Sequence, residues 1–385
     1  MWKAIAAVVV LLALPDVARA QEHDHAKMLR DQAAAEGGWH LTDDGNVFVM
    51  FNHQSGDRGG DEAVAPNWWM LMATHKAPHG LITLDGMLSL DPATVGGAGY
   101  RELFQTGETH NGQPNIDRQH PHDLFMELSA SWRLELPAST ALTLRGGPVD
   151  APALGPIAFM HRASAFDNPM APLSHHVFDS THVAFGVATA SLERGAFTIE
   201  GSVFNGREPD ENRWDFDFGR MDSVSGRLWF KPTPRWAFQV STGHLASPEQ
   251  FEPGDVQRTT VSASWTRVDG SDIDAVTAGF GVNDELSHVR QGGFVEAARH
   301  HGRHTLFGRA EILKIDPHIA GVAGGAFTAG AVRDILSGHG LEGGVGGEMT
   351  FYVTRGLLDP FYGTHPMSFQ VFFRLRGKEH MVNMQ

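Results

Sequence analysis

The sequence predicts an all-β protein, an antiparallel transmembrane β-barrel of about sixteen strands with long external loops and short periplasmic turns. Three observations predict it. An export signal opens the chain, period-two runs fill it from Val47 onward, and the connections between those runs alternate long and short.

The export signal comes first. Met1-Trp2-Lys3 supplies a charged start, Ala4 to Leu14 an apolar centre and Ala18-Arg19-Ala20 a cleavage site, so residues 1–20 read as a signal peptide removed near Gln21. The apolar run is too short to span a bilayer, and nothing downstream offers about 18 consecutive apolar residues. The chain has no cysteine, so an exported fold must hold by packing or sheet closure. A net charge of −15 disfavours nucleic acid and anionic membrane surfaces as partners. Forty-four glycines and a mean hydropathy of −0.22 fit a β-rich exported protein, whether a membrane barrel or a soluble periplasmic one.

Residues 21–46 read as a periplasmic N-terminal segment. Asp24 to Glu36 carries good helix formers stopped by Gly37-Gly38, and His23-Asp24-His25 could ligate a metal. The barrel is expected over 47–377, with a tail at 378–385. Strands are predicted near 47–53, 68–75, 80–90, 122–136, 139–146, 179–192, 195–205 and 222–231. They continue near 235–243, 256–267, 272–282, 288–300, 303–315, 325–335, 341–354 and 366–376. In the seventh, Phe197, Ile199 and Val203 oppose Thr198, Glu200 and Ser202; in the last, Phe369, Val371 and Phe373 oppose Gln370 and Arg374. A soluble sandwich shows the same period, so alternation alone leaves open which face is wet. The connections decide. Segments 54–67, 91–121, 147–178 and 206–221 are long, whereas Pro137-Ala138, Glu193-Arg194 and His301-Gly302 are tight turns. Long loops at one end and turns at the other are the layout of an outer-membrane barrel.

Signal, strand number, sorted loops and acidic, cysteine-free composition together resemble the porin-type outer-membrane β-barrels of Gram-negative bacteria, over roughly Val47 to Gly377. The resemblance implies a passive channel for ions or small solutes in the outer membrane, surrounded by lipid and assembled as a homo-oligomer. It also implies that the third long loop, here 147–178, folds into the lumen. The chain departs from the pattern by running on past Phe373 through KEHMVNMQ.

Chemistry concentrates in two loops. The second long loop ends in HPHD, whose His120 and His122 point the same way when extended, beside Asp123. The third carries Met160, His161, Met170, His175 and His176, with His182 just beyond. Imidazole and thioether together suit a copper or silver ion. The competing reading packs these residues against the wall, with the histidines hydrogen-bonded to Asp123, Asp167 and Asp179. Glu200, Arg227, Arg309, Glu311, Arg374 and Arg376 fall on the polar strand face and are expected to line the pore. No catalytic residue is assigned. The alternatives are an outer-membrane lipid hydrolase using Ser180 and His182, which share a side in a strand but lack a GxSxG elbow, and a soluble periplasmic metal-binding β protein.

Overall fold

The computed structural model describes residues 38–250, 254–285, 289–314, 323–354 and 356–377. The expected signal peptide, the helix over Asp24 to Glu36, the His23-Asp24-His25 motif and the tail 378–385 lie outside the described residues.

Each wall strand pairs antiparallel with the next. The last, β19 (Met367–Gly377), closes on the first, β1 (Trp39–Gln54), with Asn46 opposite Arg376 and Gln54 opposite Ser368. The closed sheet has seventeen strands, but β2 (Gly60–Val64) and β3 (Asn67–Ala77) run end to end along β1, which leaves sixteen positions around the wall. Ala65-Pro66 breaks that position because proline has no N–H to give the ladder; its carbonyl still accepts from Phe48 at 3.0 Å. A closed antiparallel barrel is thus the fold. Closure also explains how a chain without cysteine holds together, since the wall sheet leaves none of its strand edges unpaired.

Exposure settles which face is which. On β10 (Phe197–Phe204), Phe197, Ile199 and Val203 are exposed while Ser202 is buried; on β19, Val371 is exposed while Ser368, Gln370, Arg374 and Arg376 are buried. Apolar side chains therefore face outward and polar ones inward. That inverts a soluble sandwich and removes the soluble alternative. Near the short-turn end Phe197 stacks on Phe230, and Trp236 lies parallel to Phe238 at 5.5 Å, as an interfacial girdle requires.

Several boundaries differ from expectation. β1 begins at Trp39, eight residues before Val47, because Trp39 to Val47 pair with β3 although Thr42-Asp43-Asp44-Gly45 interrupts the alternation. The sixth wall strand, β9 (Ala184–Arg194), starts five residues after the expected 179, because Ser180–His182 forms a single 3-10 turn. Because β8 (Thr140–Asp150) also runs four residues past the expected 146, the third long loop occupies 151–183, between β8 and β9. A further pair of strands, β5 (Tyr100–His110) and β6 (Gln113–Gln119), forms a separate hairpin inside the second long loop. Its turn has Asn111 at φ 53° and Gly112 at φ 68°, the left-handed pair a tight hairpin needs.

Candidate metal centre in the lumen

A loop of 33 residues with almost no regular structure needs partners for its backbone, and the polar inner face of the wall provides them. Ser202 accepts from Ala153 N at 2.7 Å and Ser241 from Gly155 N at 2.9 Å. Asn46 donates to the Phe166 carbonyl, and Arg258 and Asn283 both donate to that of His176. Nearly every residue from Pro152 to Asp179 is buried. The loop lies inside the barrel.

The six charged residues expected on the polar face all turn inward, and five hold this loop. Arg227 donates to the Gly155 carbonyl, Arg309 to that of Met170, and Glu311 accepts from Ser174. Arg374 and Arg376 both grip Asp167. Glu200 steadies Arg227 at 2.6 Å. From the loop side, Arg162 reaches Glu296 at 2.6 Å and Asp179 at 2.9 Å. Burial alone would raise the Asp167 carboxyl; the Arg374 and Arg376 guanidiniums overcome it and hold the group at about 2. Since an unfolded aspartate titrates near 3.9, this contribution is complete above about pH 4 and vanishes as pH falls through about 2. Hydrogen-exchange protection around Asp167, relative to the intrinsic rate at each pH, is expected to hold above about pH 4 and to fall progressively between about pH 4 and 2.

Within this frame five histidines meet. His120 and His122 leave the hairpin; His175, His176 and His182 come from the inserted loop. His175 and His176 lie in a four-residue helical turn that puts both rings beside His120, with centroids 5.8 and 5.2 Å away. His175 is also 5.3 Å from His182, which is 5.5 Å from His122. Ligating nitrogens of His120, His175 and His176 all lie within 4.8 Å of one another.

Each ring has one nitrogen tied. His122 Nδ1 meets Asp91 at 2.9 Å, His175 Nδ1 meets Asp179 at 2.8 Å and His176 Nδ1 meets Glu208 at 3.1 Å. His120 Nδ1 is 3.2 Å from both Glu108 and the Pro121 carbonyl, and His182 Nδ1 is 2.7 Å from the Asp179 carbonyl. Carbonyl and ionised carboxylate oxygens only accept, so in His120, His122, His175 and His182 Nδ1 carries the proton and Nε2 presents a lone pair, while His176 Nδ1 meets a carboxyl that burial pushes up. In all five rings Nε2 is buried without a hydrogen-bond partner. Burial lowers the pKa of His120, His175, His176 and His182, which keeps them neutral. Neutral imidazoles with Nδ1 oriented by a carboxylate or carbonyl are what a bound transition metal requires.

Two further elements complete the frame. Loop 205–222 crosses the hairpin: Glu211 accepts from Asn111 N and Gly112 N, and Arg213 pairs with both Glu108 and Asp123. Gly107, at φ +139°, lies against His176. A Cβ there would sit 2.1 Å from Nε2, 2.2 Å from Cε1 and 2.5 Å from Cδ2, which places it over the ring face rather than before the lone pair. Gly107→Ala is expected to displace the ring and weaken metal binding about tenfold or more, measured by competition against a chelator, while the barrel stays folded.

The remaining candidates lie elsewhere. Met160 packs in an apolar cluster with Trp68 and Phe159, Met170 in another with Phe48 and Phe166. His161 sets its ring edge-on to Trp68 at 4.7 Å, and Asp123 pairs with Arg213 at 3.3 Å. The structure thus brings together the histidines of the expected set, except His161, and neither thioether. Ser180 accepts from Arg258 at 3.0 Å and stands on a 3-10 turn with His182, so the strand geometry behind the hydrolase alternative is not formed. Sequence reasoning missed Asp91 and Glu208 as partners of the histidines; they lie 31 and 32 residues away in the chain, and no local signal pointed to them.

No protein-family model matches the chain, and no curated protein matches it in sequence. Solved structures do match in fold. OprB of Pseudomonas putida is 9% identical over 92% of this chain and 96% of that one, at a TM-score of 0.53. OmpF of Salmonella typhi, solved with daunomycin, is 9% identical over 87% and 97%, at 0.52. An anion-selective porin from Comamonas acidovorans is 12% identical over 88% and 100%, at 0.51. The chain has the fold of the porin-type outer-membrane barrels.

Proposed function

We propose that this chain is an outer-membrane barrel, porin-like and non-enzymatic, which admits ions or small solutes from outside and binds a late first-row transition metal at its lumenal histidines. The observation that carries the metal is the set of five buried imidazoles, each with Nδ1 held and Nε2 unpartnered. An all-nitrogen donor set suits Cu²⁺, Zn²⁺ or Ni²⁺, and Cu²⁺ heads the affinity order. Silver or Cu⁺ would call for the thioethers, which lie in apolar clusters. Outer-membrane residence is supported by the outward apolar belt, the aromatic girdle and the sorted loops. Assembly with further copies of the chain belongs to the same reading.

The test uses the purified, refolded protein stripped with a chelator. Uptake of Cu²⁺ ahead of Zn²⁺, retained through desalting, supports the reading, as does a Cu²⁺-dependent change in planar-bilayer conductance. Failure to retain any of the three ions overturns the metal; hydrolysis of lipid esters by the intact barrel overturns the non-enzymatic assignment.

A further inference from the structure

Resting on that reading of the lumen, we infer that the histidine cluster holds two metal ions rather than one. The geometry divides the five rings. His120, His175 and His176 form a triangle whose ligating nitrogens lie within 4.8 Å of one another, close enough to converge on one ion with bonds of about 2 Å after a small inward movement. His122 and His182 stand outside that triangle as neighbours, with centroids 5.5 Å apart and rings edge to face at 75°. An ion in the triangle leaves both of their Nε2 atoms buried without a partner, the condition that native interiors avoid.

The second pair is also built as a ligand pair. Its Nδ1 atoms are fixed by independent groups, Asp91 for His122 and the Asp179 carbonyl for His182, so both rings are oriented before any ion arrives. His175, 5.3 Å from His182 and bound to the same Asp179, sits between the two sets and places the second ion beside the first. Three imidazoles bind more tightly than two, so filling is stepwise: the triangle first, then the pair, whose ion keeps open positions for water or a small anion.

Cu²⁺ titration of the chelator-stripped barrel tests this, read as metal per chain after desalting and as electron paramagnetic resonance. The expected result is two ions per chain, with a first step at least tenfold tighter than the second and dipolar broadening as the second fills. His122→Asn with His182→Asn keeps a donor where each Nδ1–H stood and removes Nε2. That variant should retain one ion at the first affinity, within about threefold, and show no broadening. His120→Asn with His176→Asn should instead lose the tighter step. One ion per wild-type chain, or a second ion surviving the His122/His182 variant, overturns the two-ion inference while leaving the metal reading standing. No ion at all fails the earlier reading as well.

Discussion

Replacing Arg374 with leucine is expected to destabilise the inserted loop by about 3–5 kcal/mol, the usual consequence of stripping one partner from a buried ion pair. Arg374 is fully buried between Asp167 of the loop and Asp334 of the wall, so the change leaves two carboxylates short of a cation in a water-poor interior. Arg376 offsets part of this, at 3.4 Å from Asp167, and lies over the Phe166 ring. The wall itself should survive, because its sixteen-position ladder does not depend on the pair. The expected phenotype is therefore a folded barrel with larger and noisier conductance steps. Adding Asp167→Leu should recover a large part of the loss, since coupled residues are non-additive. Unchanged conductance and unchanged loop protection in the single variant would show that Asp167 does not pin the loop.

The second large effect is expected at Asp179→Asn. One carboxylate there takes His175 Nδ1 and Arg162, accepts from Phe159 N at 3.0 Å, and its own carbonyl orients His182. Although burial opposes its ionisation, His175 and Arg162 keep the group well below the usual carboxylate range. An amide is neutral and presents one oxygen where three donors now converge. Metal affinity should fall about 10–100-fold, the range seen when groups that orient metal-bound histidines are removed. A competition titration reads it. An affinity equal to wild type would mean that Asp179 packs the loop without orienting its ligands.

The wall was legible because it repeats one physical demand: each strand must turn apolar side chains to lipid and polar ones to the lumen. A strand predicted over 256–267 is observed at Val256–Asp269, and one over 341–354 at Leu341–Val353. Elements that escape that demand were not legible. Strand β5 is largely buried on both faces, and its Phe104, Gly107 and Glu108 take positive φ, so no period survives in it. Asn111-Gly112 was the one signal that could have revealed it. At the site, HPHD and the paired His175-His176 drew attention by residue type alone. Their grouping could not be read, because it depends on two loops that meet only inside the barrel. The methionines misdirected the donor set for a similar reason: Met160 and Met170 fill gaps among aromatic rings, the task for which a flexible thioether is well suited.

X-ray absorption on the stripped barrel reloaded with stoichiometric Cu²⁺ tests the central claim most directly. Ligation by the lumenal histidines predicts a shell of nitrogen or oxygen neighbours near 2 Å with strong imidazole multiple scattering and no sulfur. A sulfur shell would place the ion at Met160 or Met170, and copper that washes out on desalting would contradict the site altogether.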